Sequence, residues 1–178
     1  MSMIWVQNVS FLILLLGISI PLGGYIYKVM TGQKVVLSKL LKPVEKGSYR
    51  LLGIPEENEM TAGKYAISVL IFSGIGLVLL YILLLVQGVM PFNPEHRKAV
   101  SWDLAFNTAV SFVTNTNWQA YSGESTLSYF TQSIGLTVQN FLSAGVGIAV
   151  LFALIRGFSS KNKKTIGCFW HDLVRSIL

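Results

Sequence analysis

The sequence predicts an all-α integral membrane fold: three transmembrane helices plus a re-entrant pore helix and loop. Three observations lead there. Of the 178 residues, 52% are hydrophobic and only 12% charged, about half the charge share of soluble domains. Mean hydropathy is +0.58. The charges fall between long apolar runs and do not gather on one stretch. This composition excludes a disordered chain, which needs low hydrophobicity and high charge. It argues against a soluble enzyme, because so few charges do not coat a domain of this size. The net charge of +6 would suit nucleic acid only if clustered on a folded face, so no nucleic-acid partner is expected. The single cysteine, Cys168, leaves no intramolecular disulfide and no multi-cysteine metal site.

The first span is expected in the N-terminal uncharged run. Val9 to Ile20 is nearly solid apolar sequence, and no charge appears before Lys28; about 20 such residues cross a bilayer. A secretory signal would carry a basic segment ahead of the apolar one and a small-residue cleavage site. Neither is evident, so the span is expected to be retained. The second span is Ile67 to Val89, rich in Leu, Ile and Val and closed by Met90-Pro91, where the proline ring breaks a helix. The third runs from about Ser133 to Ile155 and is closed by Arg156. Its Gly135, Ser143, Gly145 and Gly147 offer small surfaces on which a neighbouring helix approaches closely.

Orientation follows from the basic residues. Lys28, Lys34, Lys39, Lys42, Lys46, Arg50 and Lys64 occupy the first loop; Arg156, Lys161, Lys163, Lys164 and Arg175 follow the third span. The loop 90–124 holds only Arg97 and Lys98. The positive-inside rule makes residues 28–64 and the tail cytoplasmic, with the N-terminus and loop 90–124 outside. Lys161, Lys163 and Lys164 are read as this topology signal first and as a lipid-headgroup contact second. Glu56, Glu57 and Glu59 are read as a solvated face. Three segments result: 1–66, the first span and basic loop; 67–157, a span–pore helix–span repeat; 158–178, a basic amphipathic cytoplasmic tail.

The chemistry is expected between spans two and three. Trp102 to Val113 is a twelve-residue apolar stretch, too short to cross. Ser101 is placed to cap it, and Asp103 suits the positive end of its dipole. It ends in Thr114-Asn-Thr-Asn-Trp-Gln119, polar and without an aliphatic side chain. One reading is a re-entrant loop, in which non-helical backbone lies at membrane depth because it lines water or protein. The C-terminal end of the half-helix carries roughly −0.5 charge, and carbonyls beyond it replace the hydration shell of an alkali cation, as in potassium channels. The other reading is an external loop whose amphipathic helix rests on the surface. The Gly-Tyr-Gly of a potassium-channel filter is missing, and Asn117-Trp118-Gln119 stands there; Asn reaches positive φ more readily than most residues but less readily than Gly.

The stretch Ser101 to Gly123, with NTNWQ, closely resembles the first pore repeat of the potassium-binding A subunit of the Kdp potassium-transporting ATPase. The resemblance continues through Leu136 to Ala144 (LTVQNFLSA) and Phe152 to Arg156, and covers nearly the whole chain. It implies an A subunit of four fused repeats that selects external K⁺ and passes it to an ATP-hydrolysing partner in a bacterial plasma membrane. The partners it implies are the ATPase B subunit, the small C and F subunits, the remaining pore repeats and membrane lipid. Carried over, Asn115, Thr116, Asn117 and Gln119 match the first-repeat K⁺ filter, and Trp118 is read as packing that holds the loop. Gln139 and Asn140 are either ion-path residues or, the preferred reading, interhelical hydrogen-bond formers. The family's chain continues beyond the position matching Leu178, with three more repeats. One repeat supplies one wall of a filter, so the chain is read as an N-terminal part of such a subunit. The alternatives are a homotetrameric passive K⁺ channel and a non-transporting membrane remnant.

No catalytic residue is assigned. The phosphate loop and the Asp-Lys-Thr-Gly of a P-type phosphorylation site do not occur in the sequence, so no nucleotide is expected on this chain. His96 and His171 fall in segments assigned to opposite sides. K⁺ is the only ion expected.

Overall fold

A computed structural model describes residues 2–55, 59–159 and 164–178. Glu56, Glu57, Lys161 and Lys163 lie outside the described residues. All regular structure among the described residues is helical. Three helices are long and apolar enough to cross a membrane: Met3–Met30, Ala62–Val89 and Thr131–Ser159. The chain divides into two units, residues 1–53 and 54–177.

In the first unit, α1 (Ser2–Met30) is apolar around its whole circumference, with no residue of its apolar window buried. A helix apolar on every side belongs in hydrocarbon. It ends in a Schellman turn. Gly32 takes φ +73, its N–H donates to Val29 O at 3.0 Å, and the Gln33 N–H donates to Lys28 O at 2.8 Å, so carbonyls left open by the helix end are satisfied. Residues 31–37 lead to α2 (Ser38–Leu51), whose start is fixed by the Ser38 hydroxyl accepting from the Val35 N–H at 2.7 Å.

The second unit is built on α3 (Ala62–Val86), which starts on Thr61 as a side-chain cap and runs into a 3₁₀ turn, Gln87–Val89, just ahead of Pro91. α4 (Trp102–Val113) covers the residues expected of the pore helix. A single turn, α5 (Gly123–Thr126), leads to a π-helical stretch, Thr131–Thr137, continuous with α6 (Val138–Ser159). The third span therefore begins and ends a little beyond the expected Ser133 and Ile155. Last comes α7 (Phe169–Ile177).

Two apolar cores hold this unit. Leu80, Leu84, Val100, Ala105, Ala109, Phe112, Leu127 and Leu136 join α3, α4 and the start of the third span. Met60, Tyr65, Ala149, Ala153, Cys168, Phe169 and Leu173 join the start of α3, α6 and α7. Small residues set the spacing at some of the expected positions. A Cβ on Gly135 would lie 2.7 Å from Leu83 Cδ2, and one on Gly145 would lie 2.9 Å from Ile177 Cγ1. Gly147 faces open space, so it packs against nothing here.

The segment 164–177 is tied down. Met60 and the pair Ile166 and Gly167 exchange two backbone hydrogen bonds of 2.8 and 3.0 Å. Arg156 donates to both carboxylate oxygens of the buried Asp172, at 2.6 and 2.8 Å, and Tyr65 donates its hydroxyl to Ala149 O at 2.8 Å, with Asp172 Oδ2 at 3.1 Å. Asp172, early in α7, thus meets Arg156 near the end of α6, while Ile177 meets Gly145. α7 runs antiparallel along α6.

Candidate cation-binding loop

α4 is amphipathic, and its buried face (Ala105, Thr108, Ala109, Ser111 and Phe112) packs toward the first core. Its N-terminus departs from expectation. The Ser101 hydroxyl makes no cap to the helix N–H groups; it donates to the Asp103 carboxylate, which with the Leu104 N–H holds that carboxyl below its ordinary range. A carboxylate is the stronger partner for a hydroxyl. The helix still starts there because Ser101 O accepts from the Ala105 N–H at 2.8 Å.

Beyond Val113 the chain folds back on the helix end. The N–H groups of Thr114, Asn115, Thr116 and Asn117 donate to Val110 O, Phe112 O, Ser111 O and Ser111 O, at 2.9, 3.3, 3.0 and 3.3 Å. These bonds satisfy the carbonyls that a helix C-terminus leaves open. They also orient the loop. No peptide among the described residues is cis, and in a trans peptide C=O and N–H point in opposite directions. The carbonyls of Val113, Thr114, Asn115 and Thr116 therefore point away from the helix end. The path needs left-handed backbone at two residues, Asn115 (φ 57) and Asn117 (φ 55), and both are asparagine, which tolerates that region best after glycine.

Side chains fix this path. The Ser111 hydroxyl donates to Trp118 O at 2.9 Å, and Thr116 Oγ1 donates to Ser111 O at 3.1 Å. Asn117 Nδ2 donates to Asn115 Oδ1 at 3.2 Å, and the Ser143 hydroxyl of α6 stands 3.3 Å from the same oxygen. Asn115, Thr116, Asn117 and Gln119 all lie exposed in one strip. Trp118 is held through its carbonyl and is 56% exposed. Gln139 is buried, with its amide pressed on Gly76 of α3, 3.0 Å from where a Cβ would sit. Asn140 Oδ1 is buried with no hydrogen-bond partner among the described residues, so the preferred interhelical bond is not made there.

One residue that holds the loop went unread in the sequence. Gln87, fully buried, donates its amide to Lys98 O (2.6 Å) and Thr126 O (2.9 Å) and accepts from the Ser128 N–H (3.2 Å). It clamps the chain on either side of residues 102–119 to the end of α3. The available signal was a lone amide closing an apolar span, a position where a buried polar group must find partners. On the exit segment, the Ser122 hydroxyl donates to Glu124 at 2.6 Å and keeps that carboxyl below its usual range. No group of His, Cys, Asp and Glu among the described residues is arranged to hold a metal ion. The loop presents carbonyl, amide and hydroxyl oxygens. That donor set suits a weakly hydrated monovalent cation.

Comparison with known proteins identifies the family. Residues 9–178 match the profile of the family described as potassium-transporting ATPase A subunit. The potassium-transporting ATPase potassium-binding subunit of Listeria monocytogenes serotype 4a is 60% identical over 178 residues, covering 100% of this chain and 32% of that protein. Its namesake from Clostridium perfringens is also 60% identical, over 100% of this chain and 31% of that protein. The one from Clostridium botulinum type B is 57% identical over 168 residues, 94% of this chain. The chain thus spans about a third of the length of these relatives.

Proposed function

The chain belongs to the family of potassium-transporting ATPase A subunits, and we propose that residues 67–157 form one wall of an external K⁺ filter that supplies an ATP-driven importer. Asn115, Thr116, Asn117 and Gln119 contribute to that wall. The observation that carries this reading is the outward row of carbonyls from Val113 to Thr116, set at the negative end of α4. Each replaces a water oxygen of the arriving ion, and the half-helix dipole lowers the energy of a positive charge there. A single wall offers oxygens from one side, so selection requires further walls converging on the same ion. These walls come from the remaining pore repeats. An ATPase B subunit takes up the ion and hydrolyses ATP, with small C and F subunits completing the complex.

In this reading the assembly sits in a bacterial plasma membrane. The N-terminus and residues 90–124 face outside; residues 28–64 and the tail are cytoplasmic. The test is Gln119→Arg in the assembled pump, read as the K⁺ concentration giving half-maximal ATP hydrolysis. A fixed cation at the filter is expected to raise it about tenfold or more, equivalent to roughly 1.4 kcal/mol. An unchanged value removes Gln119 from the site. The passive channel alternative is tested on this chain alone in vesicles, where it predicts K⁺ flux without ATP.

A further inference from the structure

We propose that α2 is an interfacial helix that lies in the headgroup layer and binds anionic lipid. The sequence reading treated its lysines only as a topology signal; the helix adds a second face. Leu37, Leu40, Val44 and Leu51 recur at helical spacing and are 48, 71, 51 and 87% exposed. Lys39, Lys42, Lys46 and Arg50 occupy the opposite side and are exposed as well. At about 100° per residue the two sets fall on separate arcs, so one side of α2 is apolar and the other cationic. The one carboxylate in the helix, Glu45, accepts from the Tyr49 hydroxyl at 2.7 Å and sits off the cationic arc. In water such an apolar face has no stable resting place.

Two observations choose the occupant. First, charge: four cations and one carboxylate on a single helix match the anionic leaflet of a membrane, with long basic side chains reaching back to the phosphates. Second, tether length. α2 begins after residues 31–37, following a helix that is apolar on all sides and ends in Lys28 and a tight turn. Seven residues span at most roughly 25 Å, so α2 cannot leave the vicinity of the surface at which α1 emerges. A protein partner would need to meet an apolar arc flanked by cations at that same depth; the lipid interface offers it already. This inference stands apart from the K⁺ reading, because it uses no residue of the pore segment.

The experiment uses the full chain with Cys168→Ala, carrying single nitroxide-labelled cysteines at positions 40, 44, 42 or 46, reconstituted in phosphatidylcholine vesicles with and without phosphatidylglycerol. Collision with oxygen reports lipid immersion, and collision with a nickel chelate reports water. Labels at 40 and 44 are expected to be oxygen-accessible and nickel-protected in phosphatidylglycerol vesicles, with the reverse at 42 and 46. Changing Lys39, Lys42, Lys46 and Arg50 to Gln, with the label at 44, is expected to weaken surface attachment about fivefold per cation removed and to abolish the dependence on phosphatidylglycerol. Labels at 40 and 44 shielded from both reagents would mean that protein covers this face, and nickel access at all four positions would mean that it sits in water. Either result overturns the proposal.

Discussion

Replacing Gln87 by Leu should be among the most costly single changes in residues 54–177, although Gln87 lies outside the loop 114–119. The side chain is wholly buried and makes three hydrogen bonds, to Lys98 O, Thr126 O and the Ser128 N–H. Leucine fills nearly the same volume but leaves two carbonyls and one amide N–H without partners. A buried orphan costs about 1–3 kcal/mol, with carbonyls toward the lower end. The three together come to roughly 4–5 kcal/mol, offset by about 1–2 kcal/mol from burying the leucine. The net loss is about 3 kcal/mol, more than a hundredfold in the folding equilibrium. Reversible unfolding in mixed detergent measures it, and protease cleavage within 114–119 should rise in parallel, because both flanks of the loop lose their anchor. A Gln87→Leu variant within about 0.5 kcal/mol of the parent would refute the reasoning.

Other outcomes follow from the same geometry. Asp172→Asn leaves the Arg156 guanidinium without its counter-charge and should destabilise by about 3 kcal/mol in the same unfolding assay. Gly167→Ala should cost about 2–4 kcal/mol, since φ is +102 and the new Cβ would collide with the Arg156 guanidinium; Gly147→Ala, facing open space, should be neutral or gain up to about 1 kcal/mol of helix propensity. Tyr121 carries a half-buried hydroxyl beside that of Thr108, and burial raises its pKa above 10.0 against the opposing Thr108 hydrogen bond. Tyr121→Phe removes that hydrogen bond together with a buried hydroxyl, so stability at neutral pH should change by no more than about 1 kcal/mol. The folded state holds the Tyr121 proton more tightly than the unfolded one, so the parent should lose stability relative to Tyr121→Phe as pH rises beyond about 10.

The elements were legible where one physical rule dominated. Hydrocarbon thickness fixes how long an apolar run must be, so α1, α3 and the third span could be read from composition, and Pro91 marked the end of the second span. α4 was legible to the residue because Trp102 and Val113 bound an apolar stretch between polar runs. What stayed hidden depended on partners distant in sequence. Gln87 meets Thr126 and Ser128 across some forty positions, and Tyr65 meets Asp172 across a longer separation; no local pattern encodes such pairings. The amphipathic α2 was readable in principle from Leu37, Leu40, Val44 and Leu51, but the density of lysines around them had already been explained by topology.

The asparagines explain how a loop without the expected glycines takes a path of this kind. Glycine supplies left-handed backbone at no steric cost but offers nothing to hold the turn in place. Asn115 and Asn117 reach φ 57 and 55 and also bond to one another, while Asn115 Oδ1 reaches the Ser143 hydroxyl on α6. The conformational cost of asparagine at two such positions is thus met by hydrogen bonds that glycine could not make. Those bonds also set the direction of the loop relative to the third span. The outward row of carbonyls is fixed from two sides, by N–H groups on the end of α4 and by side chains toward α6. In the proposed filter wall, the asparagine side chains thus hold in place the carbonyls whose number and placement decide what cation they coordinate.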